Sequence, residues 1–91
     1  MTGKRRSSFE IKADILKSLS QQFGDKLKPT HVMYQANLSH KLLKEYLNDL
    51  ASQGLIEERG AEKKFIHLTD KGKDFLRQFR DFRVFRDTFG I

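Results

Sequence analysis

Lys41, Lys44 and Asn48 are spaced by three and four residues, which places all three on one side of a helix. Ammonium groups in such a row contact phosphate oxygens or guanine edges, and an asparagine carboxamide pairs with adenine. Ser39 and His40 precede them and complete a candidate set able to touch a nucleic-acid groove. Leu42, Leu43, Tyr46, Leu47 and Leu50 are expected on the opposite, apolar side. Taken alone, this pattern is also what the wet face of any amphipathic helix looks like, so its surroundings must decide. Glu45 repels phosphate and is expected to pair with Lys41 one turn away. Arg59, Lys63 and Lys64 form a second basic group around Gly60. Lys4, Arg5 and Arg6 form a third at the start of the chain, able to grip phosphate as a flexible arm. Gln35 can donate to phosphate, whereas Asn37 suits a turn, because asparagine tolerates left-handed backbone.

A net charge of +6 calls for a polyanionic partner, and double-stranded DNA fits the candidate groups best. Catalysis finds no support. His31, His40 and His67 are scattered singly, cysteine is absent, and no glycine-rich phosphate loop or HExxH pair occurs. Neither a metal nor a cofactor is expected. Apolar runs are no more than three residues long, so a membrane-spanning helix or signal core is not expected. The expected location is the cytoplasm, at the nucleoid.

The elements that must position these groups are legible in order. Ser7 and Glu10 have capping-box spacing and open a first helix. Its apolar face holds Phe9, Ala13, Leu16, Leu19 and Phe23, widened by Ile11 and Ile15; Lys12 interrupts it with a long stem, and Gly24 closes it. Residues 25–29 read as a polar turn, and Thr30 caps a second helix running to about Ala36. After Asn37 and Leu38, Ser39 caps a third helix that ends near Gly54. Residues 55–59 and 64–68 read as strands of a hairpin turning at 60–63. Thr69 caps a last helix, with Asp70 in its first turn, reaching Asp87 or Thr88. This predicts one mainly α domain with a β-hairpin, a winged helix-turn-helix. Residues 1–6 are a basic arm, 7–74 the domain and 75–91 a C-terminal element.

Three stretches resemble small archaeal winged-helix proteins: residues 28–39, Gly54-Leu55-Ile56-Glu57, and Leu68-Thr69-Asp70-Lys71-Gly72-Lys73. The resemblance covers about residues 5–80. It implies a DNA-binding transcription regulator or chromatin protein, some members of which dimerise through antiparallel pairing of the last helix.

Five of the eight phenylalanines lie at 75–89. Phe75, Phe79, Phe82 and Phe89 share one helical face, flanked by Leu76 and Phe85, and cover more than a small domain can bury. Phe79, Phe82, Phe85 and Phe89 are therefore expected at a homodimer seam. Arg86 is expected there too, stacking on a partner ring or pairing with an acid across it. The alternative folds all five rings back on their own domain. Arg77, Arg80 and Arg83 spiral around the helix, partly neutralised by Asp74, Asp81 and Asp87. These aspartates argue against a membrane-surface helix. Three functions stay open: a regulator of transcription, a low-specificity architectural DNA-binding protein, and a winged-helix module that docks a protein.

Overall fold

The computed structural model describes residues 7–22, 24 and 26–90; the basic arm, Phe23, Asp25 and Ile91 lie outside them. In chain order the elements are α1 (Ser8–Ser20), β1 (Lys26–Leu27), α2 (Pro29–Ala36), α3 (His40–Ser52), β2 (Ile56–Arg59), β3 (Phe65–Leu68) and α4 (Asp70–Phe89).

Helix α1 begins as its capping box dictates. The Ser7 Oγ accepts from the Glu10 amide at 3.1 Å, and the Glu10 carboxylate accepts from the Ser7 amide at 3.2 Å. That backbone bond, then the Ser7 hydroxyl, holds the Glu10 carboxyl below its ordinary pKa, with Arg86 and Arg83 adding to the effect. The helix ends at Ser20 with Gln21 as its cap. Gly24 therefore does not close it, but takes a left-handed conformation three residues further on, in the connection to β1.

Ile15, Leu16 and Leu19 are fully buried and form the centre of the core. Val32 and Ala36 of α2, Leu43 and Leu50 of α3, and Leu27, Ile56, Ile66 and Leu68 of the sheet pack around them. Each buried aliphatic side chain contributes about 1.5–3 kcal/mol. Leu42, expected in the apolar stripe of α3, is exposed at 42% instead, because α3 is covered only along the line of Leu43, Tyr46, Leu47 and Leu50.

The stretch expected to be a polar turn contains a strand. Lys26 pairs with His67 and Leu27 with Ile66, so β1 adds to the hairpin and the sheet is three-stranded and antiparallel, in the order β1-β3-β2. Two residues are too few to show alternation, but Leu27 faces the core and Lys26 the solvent. Helix α2 starts one residue before the expected cap: Pro29 takes its first turn, where a missing amide costs nothing, and Thr30 lies inside. Both hairpin strands begin one residue later than expected, and Leu55 instead accepts from the Thr69 amide.

The start of α4 is fastened to the end of α3. The Thr69 hydroxyl accepts from the Gly72 amide at 3.1 Å and donates to the Gly54 carbonyl at 2.6 Å. Lys71 donates to the Gln53 carbonyl at 2.6 Å, placing a cation at the negative end of α3. Gly72 is buried at this junction, where a Cβ would run into the Leu55 carbonyl oxygen and come within 2.6 Å of Leu68 Cδ1. Alanine would favour the helix by about 1 kcal/mol, but overpacking against a backbone carbonyl outweighs that gain. Gly72→Ala is expected to cost about 2 kcal/mol and lower Tm by about 10 °C. An unchanged melting curve would show that the junction gives way freely.

Candidate nucleic-acid interface

The turn between α2 and α3 fixes how the candidate groups are presented. Asn37 takes a left-handed conformation (φ 55°, ψ 55°), as expected of an asparagine ending a helix, and its amide donates back to Met33 and Tyr34. Ser39 then caps α3, its Oγ accepting from the Leu42 amide at 3.2 Å, so its side chain is engaged in the helix start. Leu43, Tyr46, Leu47 and Leu50 turn inward. His40, Lys41, Lys44 and Asn48 are left exposed along one side, as the sequence predicts. Gln35 is exposed near the end of α2, beside His31 and the largely exposed Tyr34.

One acidic residue of α3 behaves differently from expectation. The Lys41–Glu45 pair does not form: Glu45 is exposed and has no ion-pair or hydrogen-bond partner among the described residues. Asp49, in contrast, pairs with Lys12 of α1 at 3.7 Å. Lys12 thus lays its half-buried stem on α1 and uses its charge to tie α1 to α3. With Lys41 and Lys44 set against Glu45 and Asp49, α3 has no net charge, so the chain's positive excess lies elsewhere.

The wing is β2, β3 and the turn between them. Gly60 has φ 112°, and a Cβ there would run into the Lys63 carbonyl oxygen, so the turn needs glycine. Two of the three expected wing cations are partly neutralised: Arg59 pairs with Glu57 at 3.0 Å and Lys64 with Glu58 at 3.7 Å. Lys63 is exposed near the tip. The outer sheet face has a feature hidden by the missed strand, with Lys26 Nζ 5.0 Å from the centre of the Phe65 ring. His67 sits in the same row as Lys26 and Glu57. Partial desolvation, then the charges of Arg59 and Lys26, pushes its pKa down.

Helix α4 divides near its middle. Phe75 and Phe79 pack on Phe9 of α1, with ring centres 5.6 and 5.1 Å away. Phe79, expected at a dimer seam, is thus partly covered by its own domain. Phe82, Phe85 and Phe89 are 54%, 53% and 64% exposed, and the rings of Phe85 and Phe89 touch at 4.9 Å. Among the described residues, the arginine over a ring is Arg83, its guanidinium 5.9 Å from the centre of the Phe79 ring. Arg86 lies beside Glu10 of its own chain, so an acid is within its electrostatic reach without any partner. Arg5 and Arg6 lie outside the described residues.

Residues 5–87 match the winged helix-turn-helix family. Among solved structures, Sso10a-2, a DNA-binding protein from Sulfolobus solfataricus, is similar over 92% of this chain and 85% of its own, at 26% identity and a TM-score of 0.77. Two MarR family transcriptional regulators from Streptomyces coelicolor, Sco5413 and AbsC, give TM-scores of 0.77 and 0.74 at 16% and 21% identity. They match over 84% and 80% of this chain and 54% and 52% of theirs. The chain spans about half the length of these two regulators, and the likeness to them is one of fold. No curated protein matches the sequence. With α2 and α3 forming the helix-turn-helix and β2–β3 the wing, the chain belongs to the winged helix-turn-helix family.

Proposed function

We propose that this protein is a DNA-binding transcriptional regulator that acts as a homodimer and not as an enzyme. Helix α3 enters the major groove, which is wide enough to admit it. The observation that carries this reading is the exposed row of Lys41, Lys44 and Asn48 on the second helix of a helix-turn-helix. His40 flanks the row, and Ser39 orients it as the cap of α3. Gln35, Arg59, Lys63 and Lys64 contact the backbone on either side, joined by Arg5 and Arg6 of the arm. The similarity to Sso10a-2, itself a DNA-binding protein, supports the same partner. Phe82, Phe85 and Phe89 support the homodimer, since a monomer would leave three neighbouring rings in water. No helix among the described residues is long and apolar enough to cross a membrane.

A second reading, a low-specificity architectural protein, is favoured by one observation: α3 is neutral, and the excess charge lies largely in the arm and α4. Binding to random and genome-selected duplexes across a salt series separates the two. Affinity should fall steeply with salt, because counterions are released from phosphate. Selected sites should bind at least about a thousandfold tighter than random DNA for a regulator. Equal binding would favour the architectural role, and no binding at low salt would leave a protein-docking module.

A further inference from the structure

We infer that Glu45 is a specificity-determining residue, which accepts a hydrogen bond from the exocyclic amine of a cytosine or adenine in the major groove. This rests on the reading that α3 enters that groove. Three observations support it. Advancing about 100° per residue, Glu45 falls about 40° from Lys41 and about 60° from Asn48. It therefore shares the outward face of α3 and does not lie on its flank, while Leu43 and Leu50 mark the opposite, buried side. The partner expected for it is not engaged, and no other hydrogen bond or ion pair holds it among the described residues. Asp49, the other acid of the helix, is drawn away by Lys12. Among the described residues, Glu45 is thus the one carboxylate of α3 left without a charge partner, on the face that Lys41 and Asn48 occupy.

A carboxylate ion only accepts hydrogen bonds. In the major groove the guanine N7 and O6 and the thymine O4 are acceptors, and they repel it as phosphate does. The cytosine N4 and adenine N6 amines are donors that satisfy it. Glu45 therefore lowers affinity where guanine or thymine stands on the strand it faces and restores it where cytosine or adenine does. This is selection by repulsion as well as by attraction. It also accounts for a recognition helix of zero net charge in a chain of net charge +6. The arm and the other basic surfaces supply sequence-independent attraction, and α3 supplies discrimination.

The test is selection from a random duplex library with the wild-type protein and with Glu45→Ala, followed by titration of the enriched and random duplexes. Wild type should enrich cytosine or adenine at one position, and inverting that base pair should weaken binding about 10- to 100-fold. Glu45→Ala should lose the preference and bind random DNA several-fold more tightly. Equal tightening on every duplex, with the preference intact, would overturn the assignment, as would no change at all. Lys41→Ala with Lys44→Ala separates this failure from that of the underlying reading. If that protein still binds selected and random duplexes as wild type does, α3 is not in the groove and both fall.

Discussion

Alanine at both Lys41 and Lys44 is expected to weaken duplex binding about 10- to 100-fold and to reduce the salt slope by about two. Both ammonium groups are exposed on the outer side of α3, and neither has an ion-pair partner among the described residues. Their removal does more than delete two attractions. It leaves Glu45 and Asp49 as the only charges of the helix, so a neutral recognition element becomes an acidic one facing phosphate. Neither lysine touches the core, so the melting curve and the oligomeric state should be unchanged. Fluorescence anisotropy with a labelled duplex at several salt concentrations reads both quantities. Wild-type affinity with an unchanged slope would place the DNA on another surface.

Aspartate at both Phe85 and Phe89 is expected to dissociate the proposed homodimer, weakening self-association by at least about 100-fold. Burying one ring contributes about 1.5–3 kcal/mol, and a two-fold seam buries each ring twice. A carboxylate placed there adds a desolvation cost. These two positions test the seam cleanly because both rings are more than half exposed in the single chain. Phe79 is a poor probe: it stacks with Phe75 and lies against Phe9, so its loss would damage the domain itself. Sedimentation equilibrium of the double variant should give the monomer mass with the helix content retained. A stable dimer would exclude the C-terminal half of α4 from the seam.

Much of this architecture was legible where the physics is local. The Ser7–Glu10 box, the Ser39 and Thr69 caps and the left-handed Asn37 each involve residues within a few positions of one another. Their side chains meet as the backbone geometry dictates. Strand β1 was hidden for the opposite reason. Its pairing partners, Ile66 and His67, lie about forty residues away, and two residues carry no periodicity of their own. Leu42 was misplaced because a helical wheel gives the angle of a side chain and not the width of the surface that covers it. The site divides in the same way. The exposed row of α3 followed from spacing, whereas the Lys12–Asp49 pair and the packing of Phe79 on Phe9 depend on how α1 meets α3 and α4. Spacing alone could not settle the Lys41–Glu45 pair, because exposed i,i+4 pairs are worth only a few tenths of a kcal/mol.

The measurement that tests the central claim most directly is a residue-by-residue map of backbone amide shifts as a duplex is added to the isotope-labelled protein. The largest changes should run along α3 from His40 to Asn48 and at the wing around Arg59–Lys64, with Phe82, Phe85 and Phe89 unmoved. Changes centred on α4, with α3 and the wing silent, would contradict the account.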